Sequence, residues 1–222
     1  MRLIHGDCIE EINNLIKEGE EVDLVLTDPP YGIDYTPTRE TSKFHNTKVV
    51  NDDNLYWLPD WVECIKKISK NIVAVFVGWT NLGKFQAAFE DQGFTLKNVL
   101  VWDKKWFGMG ANYRPVYELI MLLCKTNFTI ESNNKSNILP YRKVAPNKLI
   151  HSCEKPVDLL VDLVSELSDP GDVVLDCFMG SGSTGVACCK TGREFIGIEI
   201  EERYYNIAKD RISEEQSQKR LM

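Results

Sequence analysis

The apolar and polar positions of the 222-residue chain follow two recurring patterns. In the first, apolar residues run almost without interruption, which predicts strands buried on both faces of a sheet. In the second, they recur every third or fourth position, which predicts amphipathic helices. The predicted strands include 22–27, 71–78, 95–103, 116–124, 173–176 and 194–199, and the predicted helices include 8–18, 57–68, 81–92 and 156–167. Because strands alternate with helices, we expect one α/β domain, residues 1–222, with a mostly parallel sheet.

Two polar stretches interrupt this order. Residues 35–54 and 125–150 are rich in polar residues and show no period typical of a helix or a strand. Irregular segments of this length inside a compact domain are usually functional. Residues 125–155 hold six basic and two acidic residues, although the whole chain has a net charge of −7. A basic face on an acidic protein and ordinary solvated charge both remain open.

The sequence LTDPPYGID at 26–34 places an acid, two prolines and an aromatic residue directly after a predicted buried strand. The prolines end the strand and leave backbone carbonyls without partner N–H groups. A carboxylate and a carbonyl then accept hydrogen bonds from an amino group, while the tyrosine ring stacks on a flat heterocycle. The predicted residues of this site are Asp28, Pro29, Pro30 and Tyr31. The alternative is a proline turn with a surface tyrosine.

A second motif, GSGSTG at 180–185, lies between a predicted strand and a helix. Glycines let a ligand approach the backbone, the helix N-terminus favours an anion, and Glu199 at the end of the next strand suits ribose hydroxyls. This pattern is typical of dinucleotide binding, but Asp176 would repel a pyrophosphate. Only 37 residues follow Gly185, too few for the second half of a dinucleotide fold.

S-Adenosylmethionine fits these residues better than a dinucleotide. Its ammonium suits Asp176, its carboxylate suits the helix N-terminus, and its ribose suits Glu199. The glycine-turn residues of the predicted cofactor site are Gly180, Gly182, Ser183 and Thr184. Near the start of the chain, Asp7, followed by Cys8, is placed to accept the adenine amino group if the strand order is permuted. A helix N-cap is the equally open alternative for Asp7.

Cysteine content and hydropathy limit the cellular context. Seven cysteines without Cys-x-x-Cys spacing favour neither a disulfide framework nor a zinc site. Reduced thiols are typical of the cytosol. No stretch approaches the roughly 18 apolar residues of a membrane span. We therefore expect a cytoplasmic protein that does not enter a membrane.

The two motifs, in this order, resemble the permuted beta group of DNA amino-methyltransferases, which modify adenine N6 or cytosine N4. The resemblance rests on DPPY at 28–31, HSCEKP at 151–156 and PGDVVLDCFMGSGST at 170–184. Shorter similarities lie around 102–104, 112–115 and Glu118. The family often has His-Pro-Thr-Gln-Lys-Pro in place of HSCEKP, and often has proline where this chain has Cys177.

The resemblance implies a doubly wound, mostly parallel, seven-stranded Rossmann-like sheet with circularly permuted motif order. It implies methyl transfer from S-adenosylmethionine to the amino group of a flipped-out base, with no metal and no covalent nucleophile. Asp28 and the Pro29 carbonyl would accept the amino hydrogens, and Tyr31 would stack on the base. Phe178 would contact the cofactor, and Lys155 would lie near its carboxylate. The acid that opens DPPY, where cytosine-N4 members often have serine, favours adenine.

The same resemblance implies double-stranded DNA as partner and a homodimer, with a cognate restriction endonuclease not physically required. Residues 35–54 and 125–150 are the candidate DNA-recognition loops, and nearby basic residues are candidate contacts to phosphates or base edges. These basic residues are Arg39, Lys43, Lys104, Lys105, Arg114, Arg142, Lys143 and Lys148. Three alternatives stay open: a cytosine-N4 DNA or RNA methyltransferase, a catalytically inactive DNA-binding relative, and a nicotinamide oxidoreductase.

Overall fold

The computed structural model describes residues 1–34, 49–107, 113–126, 135–145, 147–150 and 153–220. The strands are β1 (Arg2–His5), β2 (Val22–Thr27), β3 (Ser69–Val77), β4 (Thr95–Asp103), β5 (Tyr117–Cys124), β6 (Ile138–Leu139), β7 (Val173–Asp176) and β8 (Glu194–Glu199). The helices are α1 (Cys8–Lys17), α2 (Leu58–Ile68), α3 (Leu82–Asp91), α4 (Val157–Leu167), α5 (Ser183–Thr191) and α6 (Glu202–Arg220). None of these helices is long and apolar enough to cross a membrane.

The described strands form one sheet in the order β1-β8-β7-β2-β3-β5-β4-β6. β5 runs antiparallel to its two neighbours and the other pairs are parallel, which confirms the mostly parallel α/β fold. The described part of the chain has eight strands where seven were expected. The additional strand, β6, lies in the stretch expected to be an irregular loop and pairs with β4 through Ile138 and Val101. Its two residues are too few to produce an alternating pattern.

The pairing of β2 with β7 brings the two sequence motifs together. Leu24 pairs with Val174 and Val25 with Leu175, in parallel, so both strands end at the same edge of the sheet. β2 continues through α2 to β3 on one side, whereas β7 continues through α5 to β8 on the other. The connections therefore diverge between β2 and β7, which is where open α/β sheets bind ligands.

Helices cover both faces of the sheet and enclose two cores. Trp61 of α2 packs in one core with side chains of α1 and α3, and Leu163 of α4 packs in the other with side chains of α5 and α6. Successive residues of β2 alternate between these cores, Val25 in the first and Leu24 and Leu26 in the second. Because both faces are buried, the strand is apolar at nearly every position rather than at every second one.

Two glycines of the GSGSTG motif, one before α5 and one within it, let α6 approach α5. Gly182 has φ +79°, and a Cβ there would lie 2.9 Å from Cβ of Ala208. A Cβ at Gly185 would lie 2.3 Å from Cδ1 of Ile212. Packing against α6, rather than approach of a ligand, therefore accounts for glycine at these two positions.

Replacing Gly182 by alanine should lower the free energy of unfolding by about 3 kcal/mol, because both the left-handed backbone and the contact with Ala208 oppose a Cβ. Gly19→Ala is the matched control: Gly19 has φ +83° with no atom within 4 Å of the added Cβ, so strain alone should cost about 1 kcal/mol. Urea unfolding of both variants measures the difference. Equal losses would show that packing against α6 does not require the glycine.

Candidate active site

A cavity of about 580 Å³ opens at the carboxyl ends of β2, β3, β7 and β8. Its volume is in the range of small-molecule sites. The predicted site residues that line it are Asp28, Pro29, Pro30, Tyr31, Lys155, Asp176, Phe178, Gly180, Ser183, Thr184 and Glu199. Asp7, Cys8 and Gly182 are described but do not line it. The proline motif and the glycine turn thus share one cavity.

The turn that follows β1 lies beside the cavity. Oδ1 of Asp7 accepts hydrogen bonds from the N–H groups of Ile9 at 2.9 Å and Glu10 at 3.2 Å, which confirms the N-cap interpretation. Cys8 is buried in the core, and burial raises its pKa. The N–H of Gly6 donates to the carbonyl of Glu199 at 3.0 Å, so the turn is attached to a residue of the cavity wall.

Two buried polar side chains hold the turn at 28–34. Nδ2 of Asn81, which is 6% exposed, donates to the carbonyl of Tyr31 at 2.6 Å. Oδ1 of Asp52, which is 3% exposed, accepts hydrogen bonds from the N–H groups of Gly32 at 2.8 Å and Ile33 at 3.4 Å. Because these bonds come from segments outside the motif, the turn is fixed from both sides.

Asp28 belongs to a network of four charged side chains, called here the charge network. Its other members are Lys104, Glu118 and Lys155. Nζ of Lys155 donates to Oδ2 of Asp28 and lies 3.3 Å from Oε2 of Glu118. Lys104 donates to the other oxygen, Oε1, of Glu118. The hydroxyl of Tyr31 donates to Oδ1 of Asp28 at 2.7 Å. The side chain of Lys155 is 8% exposed, so the network lies largely out of water.

Lys155, which the resemblance places near the cofactor's carboxylate, lines the cavity with its ammonium bonded to Asp28. Burial raises the pKa of Asp28, and Lys155 opposes this rise. Burial acts on the pKa of Glu118 in the same direction, but Lys155 and Lys104 together hold it below its usual range. Burial alone would lower the pKa of Lys155, but Asp28 and Glu118 hold it above its usual range.

Asp176, at the end of β7, has partners on both oxygens. Oδ1 accepts hydrogen bonds from the hydroxyl of Thr27 at 2.8 Å and the N–H of Phe178 at 3.2 Å, and Oδ2 accepts one from the hydroxyl of Thr184 at 2.6 Å. Burial raises its pKa to about 6 against the effect of these three bonds. A carboxylate has about four acceptor positions, so one remains on Oδ2 for a cationic group.

Glu199, at the end of β8, joins the glycine turn to the sheet. Oε2 accepts a hydrogen bond from the N–H of Gly180 at 2.8 Å, and Oε1 accepts one from the N–H of Glu201 at 2.8 Å. Burial raises its pKa, and the two N–H groups oppose the rise. Each oxygen keeps a further acceptor position, which suits a pair of hydroxyl groups.

An ion pair ties the HSCEKP segment to the glycine turn. Nη1 of Arg211 lies 2.9 Å from Oε1 of Glu154 and donates to the carbonyl of Ser181 at 3.3 Å and to the hydroxyl of Ser183 at 3.2 Å. The side chain of Glu154 is 3% exposed. The glutamate that replaces the family's usual glutamine therefore has a cationic partner on α6.

Phe178 lies between the cavity and an aromatic cluster of the first core. Its ring centroid is 5.7 Å from that of Trp57 and 5.7 Å from that of Trp61. The sulfur of Cys177, at the position where the family often has proline, accepts a hydrogen bond from the indole N–H of Trp61 at 3.3 Å. The replacement thus adds a polar contact and keeps the aromatic residue at the cavity.

Basic and aromatic side chains surround the cavity mouth. Trp79 is 65% exposed and Tyr117 is 39% exposed, and both line the cavity. Lys104 and Lys143 line it as well. Burial lowers the pKa of Lys143, and its cationic neighbours Lys104 and Arg114 lower it further. Clustered cations with accessible aromatic rings are typical of nucleic-acid surfaces.

The candidate recognition loops lie partly outside the described residues. Residues 35–48, which include Arg39 and Lys43, and residues 127–134 and 146 are not described. In the described part of the second loop, β6 joins the sheet and Lys143 reaches the cavity. The role of both loops in DNA recognition stays a prediction.

A Rossmann-like sheet that joins an amino-acceptor site to a glycine turn in permuted order defines the class of the amino-methyltransferases. The chain belongs to the DNA methylase family N6_N4_Mtase, whose model matches residues 22–210. It is 31% identical over 214 residues to the putative methylase YubD of Escherichia coli (strain K12). The alignment covers 96% of this chain and 90% of YubD. It is 27% identical over 249 residues to DNA adenine methyltransferase YhdJ of the same strain, which covers 95% of this chain and 82% of YhdJ.

Solved structures agree with this assignment. The crystal structure of the M1.HpyAVI–SAM complex aligns with a TM-score of 0.76 and 26% identity, over 95% of this chain and 98% of that chain. The putative DNA modification methylase TTHA0409 from Thermus thermophilus, complexed with S-adenosylmethionine, aligns with a TM-score of 0.71 and 25% identity, over 96% and 93% of the two chains. Both related structures contain the cofactor that the sequence predicted.

Replacing Lys155 by methionine should lower the free energy of unfolding by about 3 kcal/mol near neutral pH, because two carboxylates lose their shared cation. Without the ammonium, Asp28 takes up a proton more readily, so this loss should shrink as the pH falls toward about 5. Urea unfolding across this pH range measures it. Lys67→Met, which breaks the exposed pair with Glu63, should leave stability almost unchanged. An equal loss at both ends of the pH range would contradict an ionised Asp28–Lys155 pair.

Proposed function

We propose that this protein is an S-adenosylmethionine-dependent DNA methyltransferase that methylates the N6 amino group of adenine in a flipped-out base. The observation that carries the proposal is the cavity shared by the DPPY turn and the glycine turn. The strands that lead into the two turns are joined at their ends by the 2.8 Å hydrogen bond from Thr27 to Asp176. An amino group held at one motif then lies beside a cofactor held at the other.

The cofactor half of the cavity fits the groups of S-adenosylmethionine. Asp176 retains an acceptor position for its ammonium, Glu199 retains positions for two ribose hydroxyls, and Phe178 supplies an aromatic wall. When bound, the cofactor supplies an electrophilic methyl group on a sulfonium. Asp7 and Cys8 do not line the cavity, and their contact with the adenine ring stays a prediction.

The DPPY half fits a flat base with an amino group. Asp28 and the carbonyl of Pro29 are the acceptors for its two hydrogens, and the ring of Tyr31 is the stacking surface. Asp28 accepts the proton that the amino nitrogen gives up after methylation. Lys155 acts on Asp28 in this proposal rather than on the cofactor's carboxylate.

Adenine is proposed over cytosine on two grounds. The acid at the first position of DPPY is typical of adenine-N6 members, and the relative YhdJ is named a DNA adenine methyltransferase. The basic and aromatic cavity mouth supports DNA as the substrate. A homodimer, and a cognate endonuclease that is not physically required, stay predictions.

Incubation of duplex DNA with methyl-labelled S-adenosylmethionine should place the label on adenine N6, as measured by digestion to nucleosides. Asp28→Asn should lower transfer by about 100-fold or more, because the amino group loses its charged acceptor, while cofactor binding changes little. Asp91→Asn, an exposed carboxylate at the end of α3, is the matched control and should keep full activity. Label on cytosine N4, or only on RNA or protein, would contradict the adenine proposal.

A further inference from the structure

Glu118 is an acid in the cavity wall to which the proposed reaction gives no role. It lies at the start of β5 with its side chain 20% exposed, among donors from three other segments. Oε1 accepts a hydrogen bond from Lys104, whereas Oε2 lies 3.3 Å from Nζ of Lys155 and 3.4 Å from the hydroxyl oxygen of Tyr31. An acid with three such partners in a partly buried wall is held in place.

Oε2 of Glu118 is a second acceptor for the two donors that now occupy Asp28. Lys155 and the hydroxyl of Tyr31 both donate to Asp28, one to each oxygen, and both also lie near Glu118. A hydroxyl has one proton, so Tyr31 donates fully to one carboxylate at a time. A small rotation of either donor toward Glu118 therefore leaves both acceptor positions open on the Asp28 oxygen that it occupied.

The charges of the network favour the exchange during the reaction. Two lysines balance two carboxylates in the protein without DNA. Methylation develops positive charge on an amino nitrogen beside Asp28, and an ammonium still bonded to Asp28 would repel that charge at short range. The negative charge of Glu118 offsets the ammonium of Lys155 and leaves the charge of Asp28 for the nitrogen.

We infer that Glu118 is a positioning residue for methyl transfer, which takes over Lys155 and the Tyr31 hydroxyl when the target amino group donates to Asp28. This inference rests on the proposed function, because it assumes an amino group at Asp28. Lys104 orients Glu118 for this role, because its bond to Oε1 keeps Oε2 directed at Lys155 and the Tyr31 hydroxyl.

Glu118→Gln keeps the shape of the side chain and removes its charge. Under single-turnover conditions with saturating duplex DNA, it should lower the rate constant of methyl transfer by about ten-fold or more, while the Kd for S-adenosylmethionine changes by less than about two-fold. The acid limb of the pH–rate profile should move to lower pH. The charge of Glu118 raises the pKa of Asp28, so its removal lowers that pKa.

The other charged or titratable groups that face the two carboxylates stay in place in this variant. They are Lys104, Lys143, Lys155, Tyr31 and Asp176, and Cys153 faces Lys155 and Tyr31. A shift of the acid limb therefore reports the loss of the Glu118 charge, which a purely structural defect would not reproduce.

Two further variants serve as controls. Asp103→Asn removes the same charge from the adjacent β4, where Asp103 pairs with Lys105 at 2.6 Å, and should keep the rate and the pH profile. Glu118→Asp keeps the charge and should keep the acid limb in place. If the glutamine variant does not fold, the aspartate variant is measured in its place. An unchanged rate in Glu118→Gln, or a lower rate with an unmoved acid limb, would overturn the inference. Absence of label with the unsubstituted protein would instead contradict the proposed function.

Discussion

The parallel pairing of β2 with β7 is the constraint on which the rest of the site depends. Both strands are mostly apolar and buried, and the polar residues that bear on the site, Thr27 and Asp176, stand at their ends. Their pairing ends both strands at one edge, where the hydroxyl of Thr27 reaches Asp176. Because the connections that follow run to opposite sides of the sheet, the cleft between them stays open for a ligand.

The polar groups at this edge are held by hydrogen bonds and ion pairs within the protein. Asp176 is saturated except for one position, Glu199 is anchored by backbone N–H groups, and Asp28 is neutralised by Lys155. Groups fixed in this way need little reorganisation when a charge develops beside them. The same arrangement makes each of them costly to remove singly, because a buried partner is left unpaired.

The repeating patterns made most of the fold predictable. Continuous apolar runs located β2, β3, β7 and β8, and helical spacing located α1 to α4 with ends within a few residues. Most of the predicted site residues line the cavity, because the DPPY and glycine motifs each follow a strand end. β6 was not predictable, since two residues carry no period, and its pairing with β4 depends on the chain between them.

Long-range partnerships were not visible in the sequence. Lys155 was recognised but its partner was not, because Asp28 lies 127 positions away and only the fold brings them together. Asn81 and Asp52 hold the DPPY turn, but neither role could be seen in the sequence. Asn81 precedes a helix like an ordinary cap, and Asp52 lies in an irregular stretch. Glu118 was noted only as a similarity to the family, although a single acid at the start of the otherwise apolar β5 was a signal for a role in the site.

The most direct test of the shared cavity is a crystal structure of this protein with S-adenosylmethionine bound. The account predicts that the ammonium lies at Asp176, the ribose at Glu199, and the sulfonium methyl on the side of the cavity that holds Asp28 and Tyr31. A cofactor bound elsewhere, or bound with its methyl group directed away from the DPPY turn, would contradict it.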